Sequence, residues 1–212
     1  MVVTFWPHPR TVLQQDARDL RLLTTLQEKC DLIRSLGVDR VEVLPFTREF
    51  SRMSAAEYLH MLGERFGAGV VIMGYDNRIG SDHLTASEVV RSLKREPVPS
   101  IPEIWSGGEA VADGSSPLPI SSTKIRKALS EGDVAVASEM LGRPYSLHGV
   151  VVAGNRMGRT IGFPTANLVP VDENQLIPAA GAYAVKVRME NSVEWKHGMM
   201  NIGMRPTFDG HK

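Results

Sequence analysis

The sequence has little of what several protein classes require. It contains one cysteine, Cys30, so no internal disulfide can form, and its apolar neighbours favour a small core hydrophobe. No apolar run approaches the ~20 residues that a membrane-spanning helix needs, so we expect a cytoplasmic protein without a membrane partner. Its six histidines show neither an H-x-x-x-H spacing nor pairing with cysteine, and a zinc site is not expected.

The chain also lacks an excess of either charge. It carries 24 Lys and Arg residues against 24 Asp and Glu residues, so its formal net charge is zero. Without a net positive field there is no general attraction for a phosphate backbone, and a nucleic-acid partner is not expected. The 212 residues are sufficient for one large domain or two small ones, and a change of pattern along the chain favours two.

The first half alternates between strand and helix signals. Apolar runs at Val2–Phe5, Val41–Leu44 and Val70–Met73 are typical of strands, and the last, without a polar residue, is typical of a buried parallel strand. Apolar residues at helical spacing predict helices over Leu26–Leu36 and Ala55–Phe66. This order predicts a doubly wound, Rossmann-like α/β sheet.

Local signals mark the ends of these elements. Thr24 or Thr25 is the expected N-cap of the first long helix, and Ser54 is that of the second, because a hydroxyl accepts from an otherwise unpaired N–H of the first turn. Two prolines, Pro7 and Pro9, follow the first strand, and we expect them to exclude both ladder pairing and helix there.

The pattern changes to a period of two in the second half. Further elements are expected as a helix at Ser87–Arg95, a strand at Ile101–Trp105 and a helix at Ser122–Leu141 that is interrupted near Gly132. Gly142 and the residues after it end that helix, so we place a domain boundary between residues 143 and 144. The strands expected beyond it are Leu147–Val152, Thr165–Val169, Ala182–Met189 and Trp195–Ile202. Short strands separated by turns predict a small antiparallel β domain, a barrel.

A glycine-rich loop joins two of these strands. Gly154, Gly158 and Gly162 fit neither the dinucleotide fingerprint nor the Walker spacing, and Phe163-Pro164 excludes the helix that both motifs require next. Backbone N–H groups of such a loop can approach phosphates, with Arg156 and Arg159 as counter-charges.

Two oxygen-bearing side chains follow the glycine loop. Thr165 and Asn167, two residues apart in an extended segment, are expected on one face, where they could hold Mg²⁺. The alternative is an ordinary glycine-rich hairpin in which Thr and Asn only form the turn.

A second candidate lies at the start of the helix at Ser122. Hydroxyls precede Lys124, Arg126 and Lys127, and three cations in the first turns oppose the helix dipole. An external anion would resolve this conflict, so the segment favours a triphosphate site, against the alternative of a solvated basic helix start. Asp76 and Arg78 follow an apolar strand at its carboxyl end, where open α/β sheets bind ligands.

Five segments together resemble the bacterial bifunctional riboflavin kinase and FAD synthetase family, over nearly the whole chain. The matching family patterns are T-F-x-P-H-P, a strand end with L-P-F, S-S-T-x-I-R, G-R-x-I-G-F-P-T-A-N-L and a second kinase signature. In this sequence they correspond to Thr4–Pro9, Leu44–Phe46, Ser121–Arg126, Gly158–Asn167 and Gly198–Thr207.

The resemblance implies a function and a set of site residues. Members phosphorylate riboflavin to FMN and adenylylate FMN to FAD, so ATP, riboflavin and FMN would be the small-molecule substrates and Mg²⁺ the metal. The implied fold is a nucleotidyltransferase-like domain over 1–143 and a riboflavin kinase β-barrel over 144–212. The ATP-binding residues would be Ser122, Thr123, Arg126, Gly154, Gly158, Arg159, Gly162, Thr165 and Asn167, with Thr165 and Asn167 also binding the metal. The flavin-binding residues would be Asp76, Arg78, Asn201 and Arg205.

The catalytic groups of the family are expected outside these 212 residues. The family's first strand with its H-x-G-H loop, and a glutamate that acts as base after the second kinase signature, have no match in this sequence. We therefore expect both domains to be incomplete and the chain to form little FMN or FAD. The alternatives are a nucleotide- or flavin-binding fragment without turnover, and an unrelated nucleotidyltransferase with an appended β domain.

Overall fold

The structure is a computed structural model of the 212-residue chain, and it describes residues 1–13, 20–74, 77–93, 103–106, 120–153 and 165–203. Contacts divide the chain into two compact units, which interleave along the sequence. The first contains Met1–Asp19 and Gly37–Pro119, and the second contains Leu20–Leu36 and Ile120–Lys212. The predicted boundary between residues 143 and 144 separates the two predicted functional domains rather than these contact units, and it stays a prediction.

The first unit is α/β. Its elements in chain order are β1 (Val2–Trp6), α1 (Pro9–Leu13), β2 (Val41–Pro45), a 3-10 turn (Phe50–Arg52), α3 (Ala55–Phe66), β3 (Val70–Met73), α4 (Ala86–Leu93) and β4 (Glu103–Ser106). Helix α2 (Leu26–Ser35) belongs to the second unit. Strand β1 pairs in parallel with β2, and β3 pairs in parallel with β4. The predicted parallel pairing is confirmed, but among the described residues it forms two separate two-stranded sheets rather than one continuous sheet.

The core of the first unit lies under helix α3. Ala55, Leu59 and Leu62, spaced along one face of α3, pack with Val89 of α4 as its buried members. The helix begins at the predicted residue because Ser54 and Glu57 form a reciprocal capping box, and it ends at Gly67 in the left-handed conformation.

Two local expectations for this unit were wrong. Helix α1 begins at Pro9, because a proline at the first helical position loses an N–H that would have no intrahelical partner there. Strand β3 is not buried on both faces: Met73 is 3% exposed, whereas Ile72 is 71% exposed. Alternation of side chains in a strand sends neighbours to opposite faces, and an apolar run does not by itself show that both are covered.

The second unit joins helices to antiparallel strands. Its elements are α2 (Leu26–Ser35), α5 (Ser122–Ser130), α6 (Val134–Leu141), β5 (Gly149–Val152), β6 (Asn167–Pro170), β7 (Gly181–Val187) and β8 (Lys196–Ile202). Strand β5 pairs with β6 and β7 with β8, both antiparallel. The antiparallel character is confirmed, while the described strands form two pairs and no closed barrel.

The core of the second unit lies between α5 and α6. Leu129 is fully buried with Ile125 and Ala128 of the same helix, Ala137 of α6 and Leu176 of the segment before β7. The predicted interruption near Gly132 separates the two helices, since Gly132 has a φ of +83° and Asp133 caps α6 through the N–H of Val136. Throughout the described part of the chain, every helix is too short or too polar to cross a membrane.

Candidate functional site

The strand pair β5/β6 flanks the predicted phosphate loop. Strand β5 ends at Val152, two residues before Gly154, and β6 begins at Asn167, whose Cα partner is Val152. The chain therefore enters the loop and leaves it at the same end of one strand pair. Gly149 allows the close approach of these strands, because a Cβ there would lie 3.0 Å from the backbone oxygen of Val169 and 2.3 Å from a terminal carbon of Leu168.

The two predicted metal ligands lie at this end of the pair. Thr165 is exposed just before β6, and Asn167 is half-buried as the first residue of that strand. The described residues contain no cluster of three His, Cys, Asp or Glu side chains that could hold a metal. A cation here would depend on neutral protein oxygens and on oxygens brought by a nucleotide, a ligand set that suits Mg²⁺, which commonly keeps phosphate and water ligands.

The N-terminus of α5 has the exposed polar groups that the sequence predicted. Ser122 and Thr123 are exposed in its first turn, and Ser121 accepts from the N–H of Lys124 at 3.3 Å. No acidic residue occupies that turn, so the helix dipole is not offset from within the helix. Arg126 is held in place because its Nε donates to the carbonyl of Arg21 at 2.7 Å.

Two of the four residues predicted to bind flavin are among the described residues, and each lies in a different unit. Arg78 is exposed, and its Nη1 donates to the carbonyl of His83 at 3.1 Å. Asn201 is exposed on β8, opposite Ala182 of β7. The other predicted site residues lie outside the described residues: Asp76, Gly154, Gly158, Arg159, Gly162 and Arg205.

The sequence analysis missed a cleft in the first unit that combines apolar and cationic side chains. It measures about 190 Å³, smaller than the ~300 Å³ at which small-molecule sites usually begin, so it could hold only part of a ligand. Its lining residues are Val12, Leu13, Arg48, Ser51 and Arg52. The sequence did contain a signal for this cleft: Arg48 and Arg52 lie four residues apart, close enough to bring their guanidinium groups to one site.

An aromatic cluster shares the 3-10 turn with this cleft. Phe50 lies 5.4 Å from Phe5 and 5.6 Å from Phe46, measured between ring centroids, and Tyr58 of α3 completes the group. Burial raises the pKa of the Tyr58 phenol to about 12, so the hydroxyl is neutral at physiological pH. The two arginines that line the cleft suit a ligand that carries a phosphate.

Comparison with known protein families gives two matches. The family model described as FAD synthetase matches residues 1–112, and the one described as riboflavin kinase matches residues 141–212. The segments that suggested the resemblance fall in both regions, apart from Ser121–Arg126, which lies between them.

Curated relatives match almost the whole chain. Three proteins named bifunctional riboflavin kinase/FMN adenylyltransferase are 36% identical (Listeria monocytogenes), 33% identical (Bacillus subtilis) and 34% identical (Escherichia coli K12). The alignments cover 98%, 98% and 99% of this chain and 63%, 62% and 64% of those proteins, so the chain spans somewhat less than two thirds of their length.

A solved structure shares the fold. The crystal structure of a macrolide-efflux protein from Streptococcus pneumoniae is 32% identical, with a TM-score of 0.77 over 99% of this chain and 65% of that one. Agreement over nearly all of the chain extends the likeness to both units.

Proposed function

This chain belongs to the FAD synthetase family, and from that premise we propose that its protein uses ATP and Mg²⁺ to phosphorylate riboflavin to FMN and to adenylylate FMN to FAD. The observation that carries the proposal is that one sequence matches an FAD synthetase and a riboflavin kinase in succession. Relatives with both activities in their name match along nearly its whole length.

The riboflavin kinase site would lie at the end of β5/β6. Asn167 and Thr165 would offer oxygens to the magnesium ion of Mg·ATP, and the loop containing Gly154, Gly158, Arg159 and Gly162 would bind the phosphates. The position of Asn167 beside Val152, where the loop begins, supports this assignment. A bound Mg²⁺ would neutralise phosphate charge, and the contribution of these residues would be to position the nucleotide for transfer.

The residues at the start of α5 would hold the ATP that is used for adenylylation. Ser122 and Thr123 offer exposed hydroxyls at a helix N-terminus without acidic residues, and Arg126 adds a guanidinium fixed by Arg21. Phosphate oxygens would supply the negative charge that this helix start lacks.

Flavin would be recognised by polar residues in both regions. Arg78 and Asp76 are proposed for the adenylylation substrate, and Asn201 and Arg205 for the kinase substrate. The cleft at Arg48 and Arg52 is a further candidate for the phosphate of the flavin, because its two guanidinium groups could pair with phosphate oxygens.

The sharpest test is nucleotide binding by Asn167→Ala. Titrating the chain with a non-hydrolysable ATP analogue and Mg²⁺ in a calorimeter should show binding weakened at least tenfold, a loss of about 1.4 kcal/mol. The loss should shrink when Mg²⁺ is omitted, because Asn167 would act through the cation. Asn191→Ala, which removes the same side chain from an exposed turn, is the matched control. Equal affinities for the three proteins would exclude Asn167 from the site.

Chromatography of flavins after incubation with riboflavin, ATP and Mg²⁺ tests the reactions themselves. We expect the 212 residues to form little FMN or FAD, because the family's H-x-G-H loop and base glutamate have no match in this sequence; turnover comparable to that of a bifunctional relative would refute this. A chain that binds ATP but does not change flavin fluorescence would count against flavin binding by these residues.

A further inference from the structure

By sequence, the segment Leu20–Leu36 lies in the FAD synthetase region, but by its contacts it belongs to the second compact unit. It lies within the FAD synthetase match, yet it groups with Ile120–Lys212. Leu22 forms a parallel bridge with Gln175: its N–H donates to the carbonyl of Asn174 at 2.7 Å, and its carbonyl accepts from the N–H of Leu176 at 2.8 Å. Main-chain hydrogen bonds thus attach the segment to the riboflavin kinase region.

A buried carboxylate on α2 makes the second attachment. Glu28 is 8% exposed, and its Oε1 lies 3.2 Å from Nη1 of Arg143 and accepts a short hydrogen bond from the Ser146 hydroxyl. Its Oε2 lies 3.9 Å from Nδ1 of His148. Burial of a charged group is unfavourable unless it is paired. The hydrogen-bonded pairing of Glu28 rests on Oε1, since Oε2 is buried without a hydrogen-bond partner among the described residues.

Ser146 is fixed from two directions. Its hydroxyl donates to Glu28 and accepts from Nη1 of Arg143 at 3.2 Å, and its carbonyl accepts from Nε2 of Gln175 at 3.0 Å. Gln175 is 1% exposed and is itself held at the bridge with Leu22. The position of Ser146 therefore depends on residues more than a hundred positions earlier in the chain.

Ser146 lies three residues before Gly149, the residue at which strand β5 and its pairing with β6 begin. The carbonyl of His148 accepts from the N–H of Val171 at 2.9 Å, and the pairs continue to Val152 opposite Asn167. Side chains of a strand alternate between faces, so a slip of one residue would turn the side chain opposite Asn167 to the other face.

We propose that Glu28 is a positioning residue for the riboflavin kinase nucleotide site, because it fixes Ser146 and thereby the start and register of β5 against Asn167. The role in nucleotide binding rests on the proposed function, whereas the effect on β5 does not. A residue in the FAD synthetase region would then determine the geometry of the kinase region.

The experiment compares Glu28→Gln with Asp31→Asn. Both remove one charge from α2 with little change of size, but Asp31 is exposed and pairs with Arg34 on the helix surface. Amide hydrogen exchange of Val150 and Val152, which form the hydrogen-bonded pairs with β6, should become at least tenfold faster in Glu28→Gln and should change less than twofold in Asp31→Asn. Binding of the ATP analogue with Mg²⁺ should weaken at least fivefold in Glu28→Gln alone.

The amides of α5 distinguish positioning from general destabilisation. Their exchange should stay within twofold of the wild type in Glu28→Gln. If α5 and β5 both lose protection, Ser146→Ala decides. It removes the two hydrogen bonds of the hydroxyl, to Glu28 and from Arg143, and leaves Glu28 paired with Arg143 at 3.2 Å. Faster exchange in β5 alone would then support the proposal, and unchanged exchange in β5 would overturn it. Equal β5 exchange in Glu28→Gln and Asp31→Asn would also overturn it. A wild-type chain that binds no ATP analogue would count against the proposed function, while the exchange comparison would still decide whether Glu28 positions β5.

Discussion

Replacing Leu129 by alanine tests the core of the second unit. Leu129 is 0% exposed and packs between Ile125, Ala137 and Leu176. The substitution removes three carbon groups, and at about 0.8 kcal/mol each their transfer to water accounts for roughly 2.4 kcal/mol. The cavity adds to this, so we expect a total loss of about 3 to 5 kcal/mol. The backbone carbonyl that accepts from the N–H of Ala179 at 3.0 Å is kept, so the loss reports packing.

Native-state hydrogen exchange of α5 and α6 measures this loss where it occurs. A loss of 3 kcal/mol corresponds to exchange that is about a hundredfold faster for the amides protected by the core. Leu36→Ala is the matched control, because Leu36 is 84% exposed and its truncation should change stability by no more than about 0.5 kcal/mol. A loss below about 1 kcal/mol in Leu129→Ala would refute the assignment of Leu129 to the centre of this core.

Two further predictions concern the first unit. Gly80→Ala should destabilise it by at least about 2 kcal/mol in urea unfolding, because Gly80 has a φ of +74° and a Cβ would lie 2.1 Å from the Ala55 nitrogen. Gly69→Ala, with nothing within 4 Å, should be near neutral, and equal effects of the two would contradict the turn geometry. Burial raises the pKa of Tyr58 to about 12, so the stabilisation from its neutral form is complete below pH ~10 and is lost as pH rises from there towards 12. Ultraviolet titration of the wild type should show a phenol that titrates near pH 12 and that is absent in Tyr58→Phe. Titration curves of the two proteins that agree near pH 12 would contradict this assignment.

The sequence predicted the ends of elements where the deciding contacts are local. Thr25 and Ser54 cap their helices through N–H groups three residues ahead, and Gly67 ends α3 in a conformation that glycine adopts easily. Such interactions span three to five residues, so a short stretch of sequence contains both partners. The same local reasoning failed at Pro9, where the position within the helix, and not the residue type, determined the outcome.

The candidate site was predictable only as a set of residues. The motif around Asn167 identified the residue, and the strand pair then placed it beside Val152, at the start of the glycine loop. The cleft at Arg48 was missed, because a cleft depends on how α1 and the 3-10 turn are placed and not on a motif.

The sequence by itself determined most of the local elements, their order and the family, because these depend on short patterns and on matched motifs. Only the tertiary structure decided that α2 groups with residues 120–212. The bridge of Leu22 with Gln175 and the pairing of Glu28 with Arg143 join residues more than a hundred positions apart. Their partners cannot be recognised from either segment alone, since burial and hydrogen bonding over that separation exist only once the chain has folded.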